Sequence, residues 1–258
     1  MRKKAIITTA VAFLLLLAVV AAGLNAIFTI TYVKADFLTF SEAGEADAQV
    51  LQAELNKFVG KSTTFLKLKE VSAVVDDYPC FRLESAEKKF PKTIEVTVSE
   101  RKETFAYPKA DGGFAVFDED GVYLCDRENN VSRTGGENVL LEGFNLSCTR
   151  GKVVSGEYFG ELISACSVFA EQLNEYRANV VSVTLNKNGS RPEMDSILFR
   201  MTEGVEIELS NPSFRAAEKA RAALDTYSSL TDGERLRGCI LAIESTSEDT
   251  ILCSYTRK

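Results

Sequence analysis

Between Ala5 and Val33 the chain carries no charged residue. An uncharged stretch of that length restricts the possible folds more than anything else in the sequence. Ile6, Ile7, Val11, Phe13, Leu14, Leu15, Leu16, Leu17, Val19 and Val20 form a dense apolar block. Each of those side chains favours bilayer insertion by roughly 0.3 to 0.6 kcal/mol, and Ala5 to Gly23 as a helix covers about the hydrocarbon core. Arg2, Lys3 and Lys4 precede the block, and the first charges after it are Lys34 and Asp36. Basic residues stay on the cytoplasmic side. The predicted topology is therefore a cytoplasmic tail over 1–4, a transmembrane helix over 5–25, and the rest of the chain outside the cell membrane. The small residues from Val20 to Ala22 also fit a cleaved signal peptide; either reading exports the chain from about Asn25 onward.

The 258 residues include 30 Lys and Arg against 37 Asp and Glu, a net charge of −7. Without Arg2, Lys3 and Lys4 the balance is 27 against 37, or −10, which argues against a nucleic-acid partner. Histidine is absent, and with it the usual general base of Ser-His and Cys-His catalysis and the commonest metal ligand. Cys80, Cys125, Cys148, Cys166, Cys239 and Cys253 contain no C-x-x-C pair and no zinc-ligand spacing. No metal, cofactor or small-molecule substrate is expected. The cysteines can form up to three disulfides in any of fifteen pairings, or remain thiols. Cys166 lies on the apolar face of a predicted helix and reads as a small buried hydrophobe.

A first domain is expected over 26–126. Phe28, Ile30, Tyr32 and Val33 suit a strand over Ile27 to Val33, directly behind the apolar helix. Val50, Leu51, Leu55 and Phe58 fall at helical spacing within Asp47 to Val59, with Gly60 as the stop. A second helix over Lys69 to Asp77 ends at Tyr78-Pro79. Strands follow over Phe81 to Ala86 and over Ile94 to Val98, where Ile94, Val96 and Val98 alternate with polar residues. The order is β-α-α-β-β. Asp118-Glu119-Asp120-Gly121 lacks the downstream oxygens of a calcium loop and reads as a hairpin turn between Phe114 to Phe117 and Val122 to Cys125.

Polar, glycine-bearing Arg127 to Glu137 reads as a connection, and a second domain occupies 127–258. Phe159, Leu162, Ile163, Cys166, Phe169, Ala170 and Leu173 mark an amphipathic helix. Strands are predicted over Val180 to Leu185, Ile197 to Met201 and Val205 to Leu209, with Gly204 at a turn and Val205, Ile207 and Leu209 facing inward. Asn211-Pro212-Ser213 starts a helix over Phe214 to Ser229. Cys239 to Ile243 and Thr250 to Tyr255 flank Ser245 to Asp249 and pair as a final hairpin. The fold class is α+β, with a mainly antiparallel second sheet that ends in a C-terminal edge strand.

Tyr78-Pro79, Phe90-Pro91-Lys92-Thr93-Ile94, Val96-x-Val98-x-Glu100-Arg101 and Phe117-Asp118-x-Asp120-Gly121-x-x-Leu124, in that order behind a single N-terminal span, resemble the FtsQ-type POTRA domain of the FtsQ/DivIB cell-division family. Val205-Glu206-Ile207-Glu208-Leu209, the helix carrying Lys219, and Gly238 before the penultimate strand are similar to that family's β-domain. The chain departs from the pattern at Glu103-Thr104-Phe105-Ala106, where the family usually has a proline. It also lacks a clear glycine within Lys34 to Phe40, and so resembles a divergent member.

The resemblance implies a non-catalytic, single-pass membrane scaffold of the bacterial division machinery, binding FtsB/DivIC-like and FtsL-like coiled-coil proteins. It places the contact on Thr250, Ile251, Leu252, Ser254 and Tyr255, where a partner adds a strand at the edge. The same residues could instead complete the sheet, with Ile251, Cys253 and Tyr255 turned to the core. Two alternatives stay open. One is a cell-envelope hydrolase using Asp118 and Asp120, or Glu206 and Glu208, as acid and base. The other is a secreted or receptor-like glycoprotein, since Asn130-Val131-Ser132, Asn145-Leu146-Ser147 and Asn188-Gly189-Ser190 match the glycan acceptor pattern.

Overall fold

The computed structural model describes residues 2–173, 176–245 and 250–257. The chain divides into two compact units, Met1–Glu100 and Arg101–Lys258.

In the first unit, helix α1 runs Arg2–Ile27. Its side chains from Val11 to Val20 are exposed. Among the described residues no helix is long and apolar enough to cross a membrane. The first strand, expected over Ile27 to Val33, instead runs Tyr32–Leu38 (β1), because α1 extends through Ile27 and Thr29 makes an isolated bridge to Ser62. Alternation then places Val33, Ala35 and Phe37 against the core. Helix α2, Glu42–Leu55, starts earlier than the apolar spacing implies. Ser41 is its N-cap, accepting from Gly44 N at 2.9 Å and satisfying one of the helix's unpaired donors. A 3-10 turn over Asn56–Phe58 follows.

Helix α3 (Leu68–Asp76) and strands β2 (Phe81–Lys89) and β3 (Thr93–Glu100) complete the β-α-α-β-β order. β3 lies centrally, parallel to β1 and antiparallel to β2. Leu51, Leu55, Val71 and Val75 of the two helices pack on Val33, Ile94, Val96 and Val98. Glu100 is the last residue of β3. Its carboxylate is buried and accepts from the amides of Phe40 at 2.9 Å and Ser41 at 3.1 Å, and from the Ser41 hydroxyl. A carboxylate at the start of α2 complements the helix dipole.

The second unit begins at Arg101 rather than after Asp126. Strands β4 (Phe105–Pro108), β5 (Phe114–Phe117) and β6 (Tyr123–Arg127), assigned from sequence to the first domain, belong to its sheet. After β7 (Val139–Glu142) come the two-residue strands β8 (Leu146–Ser147) and β9 (Ser155–Gly156), then helices α4 (Phe159–Gln172) and α5 (Tyr176–Asn179). The remainder is β10 (Val180–Asn186), β11 (Ser196–Met201), β12 (Glu206–Ser210), α6 (Ala216–Ser229), α7 (Asp232–Arg235), β13 (Cys239–Glu244) and β14 (Ile251–Thr256). The large sheet has the order β14-β13-β12-β11-β10-β7-β4-β5-β6. It is mixed: β12 with β13, β10 with β7 and β4 with β7 pair parallel, the other neighbours antiparallel. The loop expected over Ser245 to Asp249 lies, at 246–249, outside the described residues.

Phe105 and Ala106 of β4 pair with Val139 and Leu140 of β7 and are fully buried. That pairing is why the hairpin joins the second sheet. Helices α4 and α6 pack on each other, and α6 lies over β12, β13 and β14. Between helices and sheet sit Phe169, stacked on Phe199 at 4.4 Å between centroids, and Val205, Ile207 and Leu209, all fully buried.

Arg127 to Glu137, read as a connection between domains, lies within this unit. It is pinned there by buried Glu103. The carboxylate of Glu103 accepts from Arg127 Nη2 at 2.6 Å and from the backbone N and Nε of Arg133 at 2.9 and 3.3 Å. Arg177 adds bonds to the carbonyls of Glu103 (2.8 Å) and Gly135 (2.7 Å) and to the Ser132 hydroxyl (2.8 Å). A buried carboxylate requires such donors, so the segment is held although its composition is that of a linker.

Candidate functional site

Strand β14 is at one end of the nine-strand order and, among the described residues, pairs with β13 alone. The partner-contact residues predicted from sequence divide into two sets there. Ile251 and Tyr255, with Cys253, are half-buried and pack against the core, while Leu252 is 51% exposed and Ser254 is exposed. Thr250 is exposed just ahead of the strand, and its carbonyl accepts from Ser245 N at 2.9 Å. The period-two alternation of a strand thus gives β14 one face toward α6 and one open face. On the open face Leu252 lies opposite Ile243 of β13, itself 36% exposed.

Both ends of the β13–β14 pair are fastened. At the hairpin end, Glu244 is registered with Ile251. Fully buried Lys219 donates to Glu244 and to the carbonyls of Ser210 (2.7 Å) and Asn211 (2.9 Å). Burial lowers the Lys219 pKa, with the Glu244 carboxylate working against that shift. At the other end, the Tyr255 hydroxyl donates to the carbonyls of Glu234 and Arg237 at 3.0 and 2.9 Å. Gly238, at φ +134°, leaves room for that ring: a Cβ there would come within 2.6 Å of it.

Glu244 went unread in the sequence, and Lys219 served only to mark a helix. One signal was available for Lys219: it sits three residues after Ala216 and four before Ala223, on the buried stripe of α6. A lysine at such a position is buried only with partners. For Glu103 the sequence offers no comparable signal, because its donors, on Cys125, Arg127 and Arg133, come from distant positions.

The carboxylates considered for acid-base chemistry are placed apart from this edge. Asp118 is buried, paired with Arg101 at 2.5 Å, and accepts from the amides of Asp120 (3.0 Å) and Val122 (2.7 Å). It shapes the β5–β6 turn, as the hairpin reading expected. Glu206 and Glu208 are half-buried on β12, with Arg200 Nη2 3.7 Å from Glu206. Among the described residues no group of three or more Cys, Asp or Glu could hold a metal ion.

Cys148, Cys166 and Cys253 carry free thiols. Cys166 lines a cavity of about 510 Å³ together with Phe105, Ile163, Leu173 and Tyr176. Burial pushes its thiol up to about 12, a shift that its 3.2 Å contact with the Tyr176 hydroxyl reduces. A thiol so protonated is a poor nucleophile.

No family model matches the chain, and no curated protein does.

Proposed function

We propose that this chain is a non-catalytic, single-pass membrane scaffold of the bacterial division machinery, similar to FtsQ/DivIB, that holds a partner by strand addition at β14. The observation that carries this reading is the edge itself: among the described residues β14 pairs on one side only, Tyr255 holds its far end, Lys219 holds the neighbouring end of β13 at Glu244, and Leu252 and Ser254 are exposed. An ordered edge offers backbone donors and acceptors to an incoming strand without a further ordering cost. Alternate outward side chains then supply specificity.

The membrane part of the proposal rests on sequence: Ala5 to Gly23 is uncharged and follows Arg2, Lys3 and Lys4. As helix it reaches roughly 28 Å, about the thickness of the bilayer core. The order β-α-α-β-β in the first unit agrees with a POTRA-type module, and the partners inferred are FtsB/DivIC-like and FtsL-like proteins. The engagement of Asp118 in a turn favours this reading over a hydrolase built on Asp118 and Asp120.

The test is co-purification of full-length protein from native membranes, with bound proteins identified by mass spectrometry. Wild type is expected to retain small single-span coiled-coil proteins. Leu252→Arg, which alters only an exposed side chain, is expected to lose them while keeping the wild-type unfolding temperature. Retention by both proteins would remove β14 as the site, and retention by neither would remove the partner assignment.

A further inference from the structure

Three segments of the first unit meet at the end of its sheet where β1 and β3 begin and β2 finishes. They are the residues just after α1, the segment 57–67 from the 3-10 turn to the start of α3, and the segment 88–92 from the end of β2 to the start of β3. Ile30 N donates to Lys61 O at 2.8 Å, and Thr31 N to Lys92 O at 2.9 Å. Thr63 joins all three, its hydroxyl bonding the carbonyls of Phe28 (2.7 Å) and Pro91 (2.6 Å). Phe28 and Phe90 pack edge to face at 6.2 Å. The junction with α1 is therefore built into the sheet end, with only Phe28 to Thr31 between α1 and β1.

This end carries apolar side chains that the unit does not bury. Phe65 is 83% exposed and Phe90 61%, and Val59 and Ile27, the last residue of α1, are exposed as well. Segments 57–67 and 88–92 also carry three lysines each and no acidic residue: Lys57, Lys61 and Lys67 in one, Lys88, Lys89 and Lys92 in the other. Carboxylates outside these segments approach three of the six, Glu54 at Lys57, Glu70 at Lys61, and Glu87 and Glu95 at Lys89. Such a concentration of cations stands out in a chain whose net charge is −7.

We propose that this face docks on the surface of the bilayer that α1 enters, with Phe65 and Phe90 at the level of the acyl-chain boundary and the lysines on anionic lipid headgroups. The inference rests on the reading of α1 as a membrane span. Two observations select lipid as the occupant. The face is joined to the end of the apolar helix without a linker, and exposed aromatic side chains among lysines match the chemistry of an anionic interface. Docking fixes the orientation of the first unit relative to the membrane plane.

The chain contains no tryptophan, so a single introduced one reports its own surroundings. Full-length Phe65→Trp and, separately, Leu16→Trp are reconstituted into vesicles of brominated phosphatidylcholine with or without phosphatidylglycerol. Leu16→Trp is expected to be quenched in both; if it is not, α1 is no span and the inference falls with that reading. With Leu16→Trp quenched, Phe65→Trp is expected to shift to the blue and be quenched in the anionic vesicles. Replacing Lys61 and Lys92 by Gln is expected to weaken docking by about fivefold for each lysine.

Solvent-like, unquenched emission from Phe65→Trp would overturn the proposal while leaving the span intact. A blue shift without quenching would overturn it too, because the face would then be covered by protein. Quenching that ignores both lysines and phosphatidylglycerol would overturn the assignment to anionic lipid.

Discussion

The nine-stranded sheet ends in two edges that are finished differently. At β6 the chain folds back on itself: Tyr123 N donates to Lys152 O at 3.0 Å, Gly151 N to Tyr123 O at 2.8 Å, and Val154 N to Gly121 O at 2.9 Å. The start of that edge is closed by residues 151–154 of the same chain. The β13–β14 pair is instead secured at its ends, through Lys219 with Glu244 of β13 and through Tyr255 of β14. An uncovered edge invites pairing with other chains, and proteins commonly block it. Here one edge is blocked by backbone and the other is stiffened yet left open, which is the arrangement expected of a binding edge.

Alkaline pH should loosen both edges together, since Cys166 lies in the shared core. Its thiol, ordinarily near 9, is raised to about 12, so between those values the folded state binds the proton more tightly than the unfolded one. Stability is then intact below pH 9 and falls by on the order of 4 kcal/mol as pH rises toward 12. Tyr158 and Tyr227, also raised to about 12, add to the loss above pH 10. Lys219, lowered from 10.5, acts in the opposite direction below that value. Denaturant unfolding across this range, with Cys166→Ala as the control, reads the joint share of the thiol and of the Tyr176 hydroxyl, which burial and contact with that thiol raise; an unchanged profile in that variant would refute it.

Lys219→Ala should separate the edges. It leaves the Ser210 and Asn211 carbonyls and the Glu244 carboxylate without their shared donor, at a cost of about 3 kcal/mol. Amide hydrogen exchange should rise in β13 and β14 and stay slow in β6. Equal acceleration at both edges would show that Lys219 supports the whole core rather than one end of it.

The matched pair Gly238→Ala and Gly121→Ala sharpens the contrast at about 2 kcal/mol each. Gly238 faces the Tyr255 ring; Gly121, at φ +76°, would bring a Cβ within 2.6 Å of Phe159. The first substitution should speed exchange in β14 and the second in β6. The smallest effect on stability belongs to Leu252→Arg, within about 0.5 kcal/mol, although partner retention should disappear.

Much of the second unit was legible in sequence because its elements are strongly periodic. The stripe from Phe159 to Phe169 and the alternation of Val205, Ile207 and Leu209 give α4 and β12 within a residue or so. Boundaries set by side-chain caps were harder. α2 begins at Glu42 because the Ser41 hydroxyl caps Gly44 N while Glu100 holds the amides of Phe40 and Ser41 just ahead of the helix, and Glu100 is far away in sequence. The hairpin β5–β6 was found, its sheet was not: local alternation records that a strand exists and not which neighbour it pairs with.

At the candidate site, the alternation of Ile251, Leu252, Cys253, Ser254 and Tyr255 announced a half-buried final strand, and the structure places it at a sheet edge. The sequence by itself determined the uncharged apolar N-terminal helix, the β-α-α-β-β order and the final hairpin, since these depend on spacings within a few residues. Only the tertiary structure decided that the second unit starts at Arg101, that Glu103 holds a linker-like segment in place, and that Lys219 fastens one end of the β13–β14 pair. Each of those depends on buried charges finding partners from remote positions, and the desolvation that makes such partners obligatory exists only once the chain has folded.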